Sequence, residues 1–283
     1  MKIFNGKKVA QKILKEVAQE VKRNRLSPVL AVVLVGENEE SKLYIKLKKK
    51  AGAGIGIKVE EYFFSGSAKQ EEIIGKIQEL NNDRKISGII VQLPLPAILN
   101  PDKIIGAIDP FKDVDGFHPA NRQLLKEGKP NFMPVLPQAI LHALGSIRID
   151  LKDKKNLALV NSEIFGETLK AVFKNDDLNL DYIVRKTCIV LGIEKEVKSA
   201  DILIFVCGCP NFIKGDMIKE GAILIDAGMT RFHDNRVVGD VDRESVKGKV
   251  SFLTPVPGGI GPLTVALLLK NVFLAAKFEN QKQ

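Results

Sequence analysis

Three polar residues, Ser41, Tyr44 and Lys48, stand at i, i+3 and i+7, a spacing that places them on one face of a helix. A lysine on such a face can act as a general base or proton carrier when its surroundings lower its pKa toward neutrality. The competing interpretation is a solvated basic face, because Lys48 lies within the cluster Lys46–Lys50. Spacing alone favours the solvated face.

A glutamine, Gln92, follows the apolar segment Gly88–Val91 directly. If that segment is a strand, Gln92 stands at its carboxyl end, where ligands bind in open α/β sheets. The Gln92 carbonyl could accept a hydrogen bond from an ammonium group, while its amide needs an acceptor. The alternative is a strand-ending turn in which the glutamine points to water.

Two carboxylates, Asp113 and Asp115, flank a valine within the segment Lys112–Pro119. A desolvated carboxylate can accept two parallel N–H bonds, such as those of an aminopyrimidinone edge. An aspartate turn explains the same residues equally well.

Apolar runs and helical periodicity alternate along the chain. Continuous apolar runs predict buried strands at Val29–Val35 and Gly88–Val91, and Val9–Val21 has the periodicity of an amphipathic helix. The second half repeats the alternation, with strands predicted at Leu157–Val160, Tyr182–Val184, Asp201–Val206 and Ala222–Asp226, and helices at Glu167–Phe173 and Pro262–Phe278. A polar, proline-bearing stretch around Pro119–Pro137 separates the two series. We therefore expect an α/β fold with parallel sheets in two lobes.

The overall composition is that of a soluble protein, with 45% hydrophobic residues in 283. We find no apolar run long enough to span a bilayer, and Met1–Gly6 lacks the features of a secretory signal. Three cysteines do not suggest a disulfide framework, so a reducing cytoplasm is the expected location. Cys207 and Cys209 are expected to be core or turn residues.

The net charge of +9 is compatible with a nucleic acid or with an anionic small molecule as partner. Tryptophan is absent and tyrosine numbers only three, so a base-stacking surface is poorly supplied. Solvated helix faces and a generally positive field are the preferred interpretation, and no nucleic-acid partner is expected. His118, His142 and His233 are scattered, and we predict no metal site.

Four motifs occur together in one order: Tyr44–Lys48, Gln92–Pro96, Lys112–Pro119 and Thr254–Thr264. Their order and approximate spacing resemble the bifunctional methylenetetrahydrofolate dehydrogenase/methenyltetrahydrofolate cyclohydrolase family over essentially the whole chain. The resemblance implies oxidation of methylenetetrahydrofolate to the methenyl form with NADP, or with NAD. It also implies hydrolysis of the methenyl cation to 10-formyltetrahydrofolate at the same site, in one-carbon metabolism and purine biosynthesis.

The resemblance also assigns roles to residues of this chain. Lys48 would be the catalytic lysine, oriented and tuned by Gln92, with Tyr44 against the folate and Asp115 on the pterin edge. Because the methenyl intermediate is cationic, we predict a lowered pKa for Lys48. Further folate contacts are expected from Ser41, Val91, Leu93, Pro257, Gly258, Gly259, Gly261, Pro262 and Thr264.

The family organisation implies a folate domain over residues 1–118, completed by residues 262–283. A Rossmann-like dinucleotide-binding domain would occupy residues 119–261, and the C-terminal helix would pack back on the first lobe. The resemblance further implies a homodimer formed through the dinucleotide lobe, with no membrane partner.

The dinucleotide motif departs from the family pattern of Gly-Arg-Ser followed by Ile-Val-Gly-x-Pro. Here Val160 replaces the glycine and Asn161 the arginine, which should weaken NADP binding, whereas Ser162, Ile164 and Gly166 are retained. Arg185, with Lys186 and Thr187, could supply substitute charge or belong to a solvated loop. Met229 matches a family position beside the cofactor.

Three functions remain open at this point. The bifunctional enzyme is the first choice, and a cyclohydrolase with weak or lost dehydrogenase activity is the alternative. A folate-binding protein without turnover is more remote, because the set of Lys48, Gln92 and Asp115 is intact.

Overall fold

A computed structural model describes residues 1–185, 187–188, 191–232, 234 and 236–281. The chain divides into two compact units. The small-sheet unit comprises Ala10–Val135 and Val265–Gln283, and the large-sheet unit comprises Met1–Val9 and Leu136–Thr264.

Helices and strands alternate over much of the chain, apart from three successive helices in the middle and four successive strands near the end. They are β1 (Lys2–Ile3), α1 (Gly6–Arg23), β2 (Val29–Val35), α2 (Glu39–Ala53), β3 (Lys58–Phe64), α3 (Gln70–Asn82), β4 (Gly88–Val91), α4 (Pro101–Ile105), α5 (Pro119–Lys126), α6 (Val135–Gly145), β5 (Asn156–Val160), α7 (Glu163–Asn175), β6 (Asp181–Val184), α8 (Glu194–Ser199), β7 (Ile202–Val206), β8 (Ile223–Asp226), β9 (Thr230–Arg231), β10 (Val237–Val238), β11 (Phe252–Leu253) and α9 (Ile260–Gln281).

The small-sheet unit is built on three parallel strands in the order β3-β2-β4. The central strand β2 and its neighbour β4 are almost wholly buried, as their unbroken apolar sequences predict. Helix α2 begins after Asn38, whose side chain accepts a hydrogen bond from the Ser41 amide at 2.8 Å. The strands therefore fix the position of α2 and of the turn after β4, which carry the candidate residues.

The large-sheet unit contains six parallel strands in the order β1-β11-β8-β7-β5-β6. The connections from β5 run to β6 on one side and on to β7 on the other, so the strand order reverses at β5. In a doubly wound sheet this switch point is where a dinucleotide binds, at the carboxyl ends of the strands. The predicted α/β class with parallel sheets is confirmed.

The C-terminal helix α9 enters the small-sheet unit, as predicted. Asn271 is buried on it, and its amide donates hydrogen bonds to the carbonyls of Val114 at 2.8 Å and Met133 at 3.1 Å. Near the end of the helix, the rings of Phe278 and Phe132 lie 6.3 Å apart. These contacts brace the segment that carries Asp113 and Asp115.

The polar stretch Pro119–Pro137 contains α5 and the start of α6. One expectation about a chain segment is corrected. Helix α9 is long and apolar enough to cross a membrane, contrary to the expectation that no apolar run has that length. However, 67% of its apolar window is buried inside the structure, as in the core helix of a globular domain.

Candidate functional site

Lys48 projects from α2 into the interior of the small-sheet unit, unlike its neighbours Lys46, Lys49 and Lys50, which are exposed. Only 8% of Lys48 is accessible to solvent. Burial lowers its pKa from 10.5 to about 8, against an opposing attraction from Asp115. The predicted lowering of the pKa is confirmed, and the solvated-face interpretation is wrong for this lysine.

Gln92 holds the Lys48 amine in place. The Lys48 Nζ donates to Gln92 Oε1 at 2.6 Å, and the Gln92 Nε2 donates to the Leu93 carbonyl at 3.1 Å. The Gln92 backbone amide donates to the Val33 carbonyl at 2.9 Å, which continues the pairing of β4 with β2. Strand pairing thus fixes the glutamine, and both ends of its side-chain amide have partners.

The two aspartates after α4 have different surroundings. Asp113 is 1% exposed, and its carboxylate accepts hydrogen bonds from the amides of Gly116 at 3.2 Å and His118 at 2.7 Å, and from Asn121 Nδ2 at 2.8 Å. Asp113 therefore shapes the loop. No hydrogen bond to the Asp115 carboxylate is found within the described part of the chain, so its oxygens are available to a ligand.

Asp115 and Lys48 are close enough to influence each other's ionisation. Burial raises the pKa of Asp115 from 3.8 to about 6; Asp113 adds to this effect and Lys48 opposes it. The arrangement offers an amine that loses its proton near neutral pH and a carboxylate that is largely ionised there. These groups could transfer a proton and bind a pair of N–H donors.

The other predicted folate contacts of this unit surround the same turn. Ser41 is 2% exposed, and its hydroxyl donates to the Leu93 carbonyl at 3.4 Å. Tyr44 lies one helical turn from Lys48, and burial raises the pKa of its phenol. Val91 is buried at the end of β4, whereas the Leu93 side chain is 48% exposed. The structure therefore gathers all the predicted site residues of the small-sheet unit around α2, β4 and the Asp115 loop.

The remaining predicted folate contacts lie at the start of α9, in the large-sheet unit. Gly258 has a φ of 105°, which favours glycine, and the Gly259 amide donates to the Pro255 carbonyl at 2.7 Å. Within the first helical turn, Thr264 Oγ1 donates to the Gly261 carbonyl at 2.7 Å. The contacts of Pro257–Thr264 with a folate stay a prediction.

The altered dinucleotide motif spans the end of β5 and the start of α7. Val160 ends β5 and is fully buried, whereas Asn161 is exposed. Ser162 Oγ accepts a hydrogen bond from the Phe165 amide at 3.4 Å and so caps α7, with Ile164 in its first turn. Backbone amides at a helix N-terminus are suited to a pyrophosphate.

Gly166 allows α7 to pack closely against β6. A Cβ at this position would overlap the Tyr182 ring, so only glycine fits. The Tyr182 hydroxyl donates to the Glu163 carboxylate at the start of the same helix. The retained glycine therefore has a packing role, as the third glycine of a dinucleotide motif does.

Arg185 follows β6, and its guanidinium group already makes one hydrogen bond within the protein. Its Nη2 donates to the Leu191 carbonyl at 3.0 Å, and its buried Nε has no hydrogen-bond partner among the described residues. Lys186, the other residue expected to supply charge here, lies outside the described residues. Met229 follows β8 and is half-buried. The structure leaves the role of Arg185 in cofactor binding as a prediction.

The expectation that the cysteines form no disulfide is wrong. Cys188 and Cys209 form a disulfide, with their Cα atoms 5.2 Å apart. They follow β6 and β7, which both flank β5, so the two loops leave the sheet at the same edge. Cys207 is free, and burial raises the pKa of its thiol to about 12. The number of cysteines could not reveal this pairing, because it depends on strand order.

Two buried carboxylates of the large-sheet unit were not among the residues predicted from the sequence. Asp226 ends β8 and is 3% exposed, and Asp240 is fully buried. Burial, and then the neighbouring Asp240, raises the pKa of Asp226 to about 8. The position of Asp226 at the end of a predicted apolar strand was the sequence signal that could have identified it as a buried carboxylate.

The histidines take structural positions where they are described. His118 caps α5, since its Nδ1 accepts a hydrogen bond from the Ala120 amide at 3.0 Å. His142 lies on α6, and His233 lies outside the described residues. Within the described ranges, no group of three or more metal-ligating side chains is found.

Comparisons with known proteins match both halves of the chain. The profile of the tetrahydrofolate dehydrogenase/cyclohydrolase catalytic domain matches residues 4–115, and that of the NAD(P)-binding domain matches residues 134–280. Bifunctional protein FolD of Acetivibrio thermocellus is 42% identical over 281 residues, which is 98% of each chain.

Solved structures agree with this result. The bifunctional FolD methylenetetrahydrofolate dehydrogenase/cyclohydrolase of Campylobacter jejuni has a TM-score of 0.89 and 38% identity, covering 98% of this chain and 99% of its own. The Trypanosoma brucei enzyme, solved with NADP and an inhibitor, has a TM-score of 0.90 and 29% identity, covering 99% of this chain and 98% of its own. With both domains matched over nearly the full length, the chain belongs to the tetrahydrofolate dehydrogenase/cyclohydrolase family.

Proposed function

We propose that this protein oxidises methylenetetrahydrofolate to methenyltetrahydrofolate with NADP or NAD, and hydrolyses the product to 10-formyltetrahydrofolate. The observation that carries the proposal is the buried Lys48 amine held 2.6 Å from Gln92 Oε1, with Asp115 nearby. Family membership supports both activities.

In the hydrolytic step, the pterin would be held by Asp115, whose two oxygens accept a pair of N–H bonds from its edge. The neutral Lys48 amine accepts a proton from water as the water oxygen bonds to the methenyl carbon. The hydroxyl formed from the water then loses its remaining proton and becomes the formyl carbonyl as the bond from that carbon to the pterin N5 breaks, and N5 takes up a proton. Gln92 keeps the amine directed at the reacting water, because its carbonyl engages one N–H.

When bound, NADP or NAD would supply the hydride acceptor that oxidation of the methylene carbon needs. The residues at the β5 edge fit a dinucleotide in part: the N-terminal turn of α7 offers backbone amides to the pyrophosphate, and the buried Val160 side chain leaves that surface clear. Ser162, Ile164, Gly166 and Met229 would line the cofactor. With Asn161 in place of the arginine, Arg185 is the candidate for the 2′-phosphate of NADP.

The same proposal extends to the organisation of the protein. Folate chemistry is assigned to residues 1–118 with residues 262–283, and cofactor binding to residues 119–261. A homodimer through the dinucleotide lobe accompanies it, as the family resemblance implies. A cytoplasmic location is also part of the proposal, and the Cys188–Cys209 disulfide removes the cysteine count as an argument for it. The homodimer is tested by the mass of the particle in solution, measured by light scattering.

A pair of absorbance assays tests the proposed function. Methylenetetrahydrofolate is supplied with NADP or NAD in one assay, and methenyltetrahydrofolate alone in the other. Both compounds should be consumed. Hydrolysis without oxidation would select a cyclohydrolase that lacks the dehydrogenase step, and neither activity would select a folate-binding protein.

A variant pair tests the mechanism. Lys48→Met should abolish hydrolysis while a folate analogue still binds, because the proton acceptor is lost but the pterin contacts are kept. Lys46→Met, which removes an exposed lysine of the same helix, should retain full turnover. Full turnover by Lys48→Met would remove Lys48 from the mechanism.

A further inference from the structure

Two buried carboxylates organise the loops at the carboxyl edge of the large sheet. Asp240 lies between the loop after β7 and the loop after β8. One of its oxygens accepts hydrogen bonds from the amides of Cys207 at 2.8 Å and Gly208 at 3.3 Å, and the other accepts one from the Cys209 amide at 2.6 Å. Three consecutive amides therefore point at a single carboxylate.

Asp226 holds the opposite side of the same cluster. Its carboxylate accepts hydrogen bonds from the amides of Gly228 at 3.1 Å, Asp240 at 3.1 Å and Val241 at 2.9 Å. Asp226 thereby fixes both the loop after β8 and the backbone of Asp240. The two carboxylates together receive six backbone amides.

Two glycines make room for these carboxylates. A Cβ at Gly228 would overlap the Asp240 carboxylate, and a Cβ at Gly239 would overlap that of Asp226. The loop after β8 is thus packed directly against the carboxylate that holds the loop after β7, and Gly239, which follows β10, is packed against the carboxylate that holds the loop after β8. A change at Asp240 must therefore move the loops after both β7 and β8.

The position of these loops relates them to the cofactor. Strand β7 neighbours β5, so the Cys207–Cys209 loop borders the switch point at which a dinucleotide binds in such a sheet. Met229, a candidate cofactor contact, follows Gly228 directly. Asp240 itself is fully buried and cannot touch a ligand in this conformation.

We propose that Asp240 is a positioning residue for the dinucleotide, which acts by holding the Cys207–Cys209 and Gly228–Met229 loops in their binding conformation. The inference rests on the proposed function, because it presupposes that this edge binds NADP or NAD. Asp240→Asn replaces one acceptor oxygen by an NH2 group that faces a backbone N–H. The loop should then lose at least one charge-assisted hydrogen bond and change its conformation.

The test measures dinucleotide affinity and folate hydrolysis on the same variant. For Asp240→Asn, the Kd and KM for NADP and NAD should rise about tenfold or more, since a hydrogen bond to a charged group is lost. Methenyltetrahydrofolate hydrolysis should stay within about twofold of the unaltered protein, because no residue assigned to that step contacts Asp240. The matched control is Asp242→Asn, whose carboxylate accepts the Ser245 amide in a nearby turn; both readouts should be unchanged.

A second variant keeps the proposal testable if Asp240→Asn does not fold. If thermal melting shows that Asp240→Asn is unfolded at the assay temperature, Gly228→Ala displaces the same carboxylate and should give the same split between affinity and hydrolysis. An equal loss of both readouts in a folded variant would overturn the proposal, and so would unchanged dinucleotide affinity. Calorimetry of NADP and NAD binding to the unaltered protein distinguishes failure of the proposed function from failure of this inference. Binding without oxidation contradicts the proposed dehydrogenase activity alone. If neither dinucleotide binds, the role of Asp240 is contradicted as well.

Discussion

Replacing Gln92 by glutamate should shift the pH profile of methenyltetrahydrofolate hydrolysis to higher pH. In the native protein, the Lys48 ammonium shares a hydrogen bond with the neutral Gln92 carbonyl at 2.6 Å, and burial lowers the Lys48 pKa to about 8. Turnover requires the neutral amine, so it should increase as the pH rises through this value. Gln92→Glu puts a negative charge where the carbonyl oxygen lies and favours the charged amine.

The size of the effect follows from the pKa of Lys48. With a pKa of about 8, roughly one amine in ten is neutral at pH 7, against roughly one in three thousand for an ordinary lysine. A carboxylate this close raises the pKa of a neighbouring ammonium by about 1–3 pH units. Gln92→Glu should therefore reduce turnover at pH 7 by roughly 10- to 1,000-fold and raise the midpoint of the pH profile by the same amount as the pKa, about 1–3 pH units.

The assay is the absorbance of saturating methenyltetrahydrofolate between pH 6 and pH 9.5, with hydrolysis in the absence of enzyme subtracted at each pH. The matched control is Gln78→Glu, which adds the same charge at an exposed position on α3 and should leave the midpoint unchanged. A profile for Gln92→Glu that coincides with that of the native protein would refute the assignment of Lys48 as the titrating base.

Three further predictions concern other parts of the structure. Burial raises the pKa of Asp115 to about 6, so its carboxyl takes up a proton as the pH falls below 6. Calorimetry should then show that the affinity for a folate analogue is roughly tenfold weaker at pH 5 than at pH 7. Equal affinities at the two pH values would contradict the role of Asp115 in holding the pterin. Gly166→Ala should lower stability in urea by about 1–3 kcal/mol, because the added methyl overlaps the Tyr182 ring; an unchanged midpoint would show that the helix shifts freely. The Cys188–Cys209 disulfide closes a loop between positions 21 apart, so its reduction should lower the free energy of unfolding by about 3 kcal/mol. When the protein is unfolded without a reductant, an alkylating agent should modify Cys207 alone. Modification of all three cysteines would show that the disulfide is absent.

Much of the candidate site could be predicted from the sequence because its motifs are short and local. The i, i+7 spacing of Ser41 and Lys48 placed them on one helix face, and the apolar run before Gln92 placed the glutamine at a strand end. Hydrophobic periodicity likewise predicted the alternating strands and helices and the α/β class. Spacing alone nevertheless favoured a solvated Lys48, since sequence neighbours do not report burial.

The features that were missed depend on residues far apart in the chain. The disulfide arises because β6 and β7 flank the same strand, and the carboxylate cluster arises because Asp240 meets amides 31 to 33 positions earlier. No local pattern marks such contacts.

Residue types and their order thus decided the fold class and named the groups able to do the chemistry, because backbone preference and hydrophobic pattern act over a few residues. The reactivity of those groups was decided by the tertiary structure. Removal of water around Lys48 lowers the pKa of its amine, and an acceptor from 44 positions away holds that amine in place; both exist only once the strands have assembled.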